Sequence, residues 1–180
     1  MVQVCRFHIR MAWNIRRFVN EDAAIRIMLS TVMCRLDYCN SLLVNLPQKD
    51  IAKLQLIQNA AARLVSLTPK FESVKPVLKR LHWLPVAYRI KYKIAVMMHR
   101  CAHGTATLYL QSMLVPYVPR RTLRSSNNSA VTFEVPRVNQ KTVGIRAFST
   151  GDPRYGMKFR HLSGQLYRTM FSGKKLKTLV

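Results

Sequence analysis

The chain has 180 residues, nearly half of them apolar, and carries 30 Lys and Arg against 7 Asp and Glu, a formal charge of +23. That length accommodates one ordinary domain with or without an appendage, and the apolar share excludes disorder along the whole chain. So large a basic excess points to a polyanionic partner, RNA or DNA first; the alternative is a solvated basic surface on a soluble protein.

Basic residues interrupt every apolar stretch before it reaches the roughly 20 residues a bilayer span needs, so no membrane partner is expected. At the start, Met1 to Arg17 is basic, amphipathic and free of acids, a pattern shared with mitochondrial targeting peptides except that serine is missing. Asn20, followed by Glu21 and Asp22, reads as a helix cap with acids at the positive end of the dipole. The stripe Ile25, Leu29, Val32, Leu36, Cys39, Leu43 and Leu46 then predicts one helix continuing to Pro47.

A second helix is expected from about Asp50 to Leu67, with Ile51, Leu54, Ile57, Ala61, Leu64 and Val65 on one face and Ala60, Ala61 and Ala62 permitting close approach. Between Glu72 and Leu81 a shorter helix fits if Pro76 lies in its first turn. Trp83, just before Pro85, suits a core or hinge anchor, with a base-stacking platform as the alternative.

From Val86 to Cys101, Tyr88, Ile90, Tyr92 and Ile94 alternate with Arg89, Lys91 and Lys93 as in a strand. Sixteen residues without Gly or Pro favour a helix, opened by Pro85 and closed by Gly104. Arg89 and Lys93 one turn apart, with Arg100 beyond and Lys91 extending the charged side, suggest a ridge that faces phosphates or simply solvates the helix. A short helix is expected within Thr105 to Leu114.

Beyond Pro116 and Pro119 the character changes: Arg120, Arg121 and Arg124 precede Ser125, Ser126, Asn127 and Asn128, a basic loop. Short strands are expected at Ala130 to Val135 and Val143 to Phe148, and a helix at the end. Residues 1–114 carry 17 basic and 5 acidic side chains and 115–180 carry 13 and 2, so the second part is the more basic per residue. The expected fold is mostly α: a helical hairpin or bundle over about residues 20–114, within a first domain 1–114, then a basic, loosely ordered arm over 115–180.

Cys5, Cys34, Cys39 and Cys101 form no CxxC pair and follow no secretory signal, which predicts reduced thiols in an intracellular protein, nuclear or cytoplasmic rather than secreted. Cys101 between His99 and His103, completed by Cys5 and His8, invites a zinc reading, but residues two apart on a helix point to different sides, which favours packing. No metal and no cofactor are therefore expected. Acids are sparse and isolated, with Glu21-Asp22 already read as a cap, and no phosphate loop, H-E-x-x-H or G-x-S-x-G occurs, so neither catalysis nor a small-molecule substrate is expected. The candidate phosphate-binding residues are Arg63, Arg89, Lys91, Lys93, Arg100, Arg120, Arg121, Arg124, Arg137, Lys141 and Arg146.

Three segments carry a resemblance: Arg35-Leu36-Asp37-Tyr38-Cys39-Asn40-Ser41-Leu42-Leu43 with Leu46-Pro47; Leu54-Gln55 with Gln58-Asn59-Ala60-Ala61-Ala62-Arg63; and Pro76-Val77-Leu78 with Leu81-His82-Trp83-Leu84-Pro85-Val86 and Arg89-Ile90. In this order and spacing the chain resembles the region that follows the polymerase domain in non-LTR, LINE-type retrotransposon reverse transcriptases. Weaker matches at His103-Gly104, Arg124-Ser125-Ser126 and Val135-Pro136-Arg137 extend the likeness over most of the chain. After Pro153-Arg154 it departs: Tyr155-Gly156-Met157-Lys158 stands where the family has a Trp-Asn dipeptide and a Leu-Pro, and Thr107 replaces a proline. The resemblance implies a non-catalytic fragment of an RNA-directed DNA polymerase, without the endonuclease or the F/Y-A-D-D box; contact with nucleic acid is the inference from charge. The alternatives are a non-functional reading frame from a truncated element and an independent RNA-binding protein of ribosomal type.

Overall fold

The structure, a computed structural model, describes residues 1–117 together with Phe133, Glu134, Pro136, Arg137 and Asn139. The described residues are mostly helical. Their single β pairing is an antiparallel bridge between Pro116 and Phe133, beside which the Glu134 N–H donates to the Val115 carbonyl at 2.8 Å. Most of the strand expected at Ala130 to Val135, the strand expected at Val143 to Phe148 and the terminal helix lie outside the described residues. The chain divides into two units, Met1–Tyr92 and Lys93–Val180.

The first unit opens with α1, Val2–Ile15, and a 3-10 turn, Arg16–Phe18. Asn20 caps α2, Glu21–Met28, as its spacing predicts: the side-chain oxygen accepts from the Ala23 N–H at 2.9 Å, with Glu21 and Asp22 in the first turn. A π-helical turn, Leu29–Met33, carries this helix into α3, Cys34–Asp37.

Here the structure departs from the expected continuous helix to Pro47. Tyr38 is extended, Cys39 is left-handed at φ 52°, and a separate 3-10 turn covers Asn40–Leu43. The break places Asn40 and Val44 in the interior and leaves Cys39, an expected stripe member, exposed. Apolar periodicity could not reveal this, because Leu43 and Leu46 are only half-buried and satisfy the helical pattern without needing a helix.

α4, Gln48–Ser66, is the central helix and packs against α1, α2 and α5. Its buried face contains Leu54, Ile57, Ala61, Ala62, Leu64 and Val65, while Cys5 and Ala12 come from α1, Ala24 and Met28 from α2, and Val32, Met33 and Leu36 from the segment that follows. Ala61 and Ala62 have no exposed surface, so methyl groups replace longer side chains where the helices meet. Each large apolar side chain buried here contributes roughly 1.5–3 kcal/mol.

α4 ends on Leu67, left-handed at φ 53°, and the amides of Leu67 and Thr68 both donate to the Arg63 carbonyl. That closure normally selects glycine at the left-handed position. α5, Lys75–Arg80, has Pro76 in its first turn, where a missing N–H costs nothing. Trp83 is buried at 5% exposure, the anchor reading, and its N–H donates to the Leu78 carbonyl at 2.8 Å.

α6, Val86–Ala102, is a helix as its length predicts, and the buried Val86, Ile90, Ile94 and Met98 recur every fourth residue. It closes at Gly104, φ 68°, where the Thr105 and Ala106 amides both return to the Arg100 carbonyl. α7, Leu108–Ser112, follows, and Gln111 Nε2 on it donates to the carbonyls of Gly104 and Ala106.

Candidate nucleic-acid interface

The expected phosphate-binding residues divide into two groups. Arg63, near the end of α4, directs Nη1 to the carbonyls of Pro69 and Glu72 at 2.8 and 2.9 Å and so holds the loop between α4 and α5. Arg89 is the more deeply committed. Its Nε donates to the Leu84 carbonyl at 2.7 Å, its Nη1 pairs with Asp37 Oδ2, and its side chain is only 10% exposed. It therefore joins no exposed ridge with Lys93; its guanidinium is engaged inside the protein.

Arg89 belongs to a polar seam. Gln58 of α4, with no exposed surface, donates from Nε2 to the same Leu84 carbonyl at 2.9 Å. Gln55 Oε1 accepts from the Val86 N–H at 3.0 Å, and Gln55 Nε2 donates to Gln58 Oε1 and Asn59 Oδ1. Asp37, on the other side of Arg89, also accepts from Asn40 Nδ2 at 3.5 Å, while Asn40 Oδ1 is buried without a hydrogen-bond partner among the described residues. Because unpaired polar groups inside a protein are costly, the paired groups of this seam, Asn40 Oδ1 excepted, fix the relative placement of α3, α4 and the start of α6.

Lys91, Lys93, Arg100 and Arg137 are exposed, and none has a carboxylate partner among the described residues. Lys91 Nζ lies 5.6 Å from the Tyr88 ring centroid, a cation–π contact at the surface. Lys93 and Arg100, seven residues apart, share one flank of α6. Arg120, Arg121, Arg124, Lys141 and Arg146 lie outside the described residues.

Three of the six described acids are in ion pairs: Glu21 with Arg80 at 2.7 Å, Asp50 with Lys53 at 2.9 Å and Asp37 with Arg89. No group of three His, Cys, Asp or Glu among the described residues is placed to hold a metal ion. The His99 and His103 rings instead lie against each other, tilted by 46° with centroids 4.2 Å apart, and Cys101 is half-buried. Among these residues no helix is long and apolar enough to cross a membrane. Cys5 is fully buried, and that burial pushes its thiol above the ordinary value of 9.0, with Arg35 and the amino terminus pulling the other way.

One basic surface was absent from the expectation. Arg6, Arg10 and Trp13 lie on one face of α1 at i, i+4 and i+7, and Arg17 follows four residues later. All four are exposed, Trp13 at 55%, and the Arg17 guanidinium lies 4.9 Å from the Phe18 ring centroid. The spacing was present in the sequence. Reading Met1 to Arg17 as a possible leader kept it from being read as a folded surface.

Arg16 goes the other way. Its Nε and Nη2 donate to the carbonyls of Leu64 and Val65 at 2.9 and 2.8 Å, and Nη1 to that of Val19 at 2.7 Å, so it caps the last turn of α4 where the helix dipole is negative. Comparison with known proteins finds no matching family model, curated protein or solved structure.

Proposed function

We propose that the chain is a non-catalytic, carboxy-terminal region of a LINE-type retrotransposon reverse transcriptase that binds RNA or DNA by phosphate contacts. The observation that carries the binding reading is the division among the cations. Arg16, Arg63 and Arg89 are engaged with backbone carbonyls and a carboxylate of their own chain, whereas Lys91, Lys93, Arg100 and Arg137 stand exposed without an acid partner among the described residues, in a chain of net charge +23. Exposed, unneutralised cations are what a phosphate backbone attracts, and counterions released from that backbone favour the complex.

The family reading is supported by where its three segments meet. Asp37 and Asn40 come from the first, Gln55 and Gln58 from the second, and Leu84, Val86 and Arg89 from the third; all belong to one hydrogen-bonded seam. Residues from all three resembling segments thus meet in one seam, as expected of a domain signature.

Binding to a random duplex measured across salt concentrations tests the function. A straight log–log plot is expected, with a slope of about 0.9 per phosphate contact. Replacing Lys91, Lys93 and Arg100 together by Ala should lower that slope by up to about 2.7 if each makes one contact. Affinity that barely changes between low and moderate salt sinks the phosphate reading.

A further inference from the structure

We infer that the exposed α1 flank formed by Arg6, Arg10, Trp13 and Arg17 is a single-strand site, in which an unpaired base stacks on the Trp13 indole while the arginines hold the neighbouring phosphates. The inference rests on the nucleic-acid reading and narrows it to one surface and one form of ligand.

Trp13 is 55% exposed on a helix that contributes Cys5 and Ala12 to the core, so its indole is left outside by the packing. A large aromatic face kept in water is an unfavourable way to use tryptophan unless something covers it. What surrounds it names the partner's chemistry: Arg6 and Arg10 lie on the same face, Arg17 comes next in the chain, and residues 1–20 contain no acid. About 6 Å of helix separates Arg6 from Arg10, and about 4.5 Å separates Arg10 from Trp13.

An aromatic face between cations is the arrangement that binds single strands, because stacking needs a base face that duplex pairing hides. The flank is distinct from the exposed apolar residues Val4, Phe7 and Met11, which lie on the other side of α1 from Arg6, Arg10 and Trp13. Trp13 therefore belongs to the basic surface. A bilayer would favour it among those apolar residues.

Fluorescence isolates the site, because the chain has two tryptophans and the other, Trp83, is buried at 5% exposure. Titrating the full chain with a 15-nucleotide oligothymidylate should quench Trp13 emission. Trp13→Ala should weaken that binding about tenfold or more while changing affinity for a duplex of equal length less than twofold, with Trp13→Phe between. The double variant Arg6→Ala, Arg10→Ala should lower the single-strand salt slope by up to about 1.4.

If the oligonucleotide binds without quenching and Trp13→Ala binds it equally well, the α1 site is wrong while the wider reading stands. If neither oligonucleotide nor duplex binds, both fall. A blue shift of Trp13 emission on vesicles of anionic phospholipid, with no response to oligonucleotide, overturns the site in favour of a membrane surface.

Discussion

Arg89 and Arg10 are the same residue type on two helices of the same unit, and they meet opposite surroundings. Arg89, in the first turn of α6, meets the Leu84 carbonyl and the Asp37 carboxylate. Arg10 stands on the outer flank of α1, where no carboxylate or carbonyl among the described residues meets it. Charge count alone treats the two as equal contributors to a basic surface. The difference lies in the backbone: an arginine turns inward where a helix end or turn leaves carbonyls without donors, and remains available elsewhere.

The contrast predicts a graded response in stability. Arg89→Ala should be the most damaging change, about 3 kcal/mol in urea unfolding, because it removes the guanidinium paired with Asp37, one of the two donors to the Leu84 carbonyl, and the packing of a side chain only 10% exposed. A loss under 1 kcal/mol would remove the distinction between inward and outward arginines. Arg16→Ala should cost about 2 kcal/mol by uncapping the end of α4, with Arg16→Lys recovering less than half since an ammonium cannot span the carbonyls as the planar fork does.

Leu67→Gly should act in the opposite direction, raising stability by about 1 kcal/mol, because glycine adopts the left-handed cap without the Cβ clash that leucine carries there. A lowered midpoint would show that the 58%-exposed leucine side chain makes a contact worth more than the strain. Smallest of all, Lys91→Ala, Lys93→Ala and Arg100→Ala should each change stability by less than about 0.5 kcal/mol while their combination flattens the salt dependence of binding.

Cys5 adds a check by pH. Its folded thiol ionises above the ordinary value of 9.0, so the folded state holds a proton that the unfolded state has begun to release. Stability is therefore full below that value and falls as pH rises through the raised one. A thiol reagent at neutral pH should modify the exposed Cys34 and Cys39 rapidly and Cys5 only on unfolding; equal rates would mean that α1 does not stay docked.

These contrasts also mark what could be read from residues alone. α4, α5 and α6 follow from repeating apolar positions punctuated by Pro47, Pro76, Pro85 and Gly104, since those residues act through local backbone geometry. α1 was legible as amphipathic, but whether its apolar face meets a core depends on partners distant in the chain. Gln58 and Arg89 were invisible as interior groups for a related reason. A polar side chain is burial-compatible only where a particular partner awaits it, and the Leu84 carbonyl that meets Gln58 lies 26 residues away, the Asp37 carboxylate that meets Arg89 52. The candidate site fared accordingly: exposed Lys91, Lys93 and Arg100 stand where a solvated ridge would put them, whereas Arg63 and Arg89 serve the backbone.

The π-helical turn at Leu29–Met33 acts as a phase shift in a gear train. One residue too many for an α-helical turn rotates everything after it by about 100° relative to an uninterrupted helix. Val32 and Met33 within the turn are both buried, and Asp37, which follows it, is paired with Arg89. Excising Ser30, which is exposed, would wind the turn back to α-helical pitch and carry Asp37 out of mesh. The seam that joins three distant stretches of chain is thus timed by a single surplus residue on the surface.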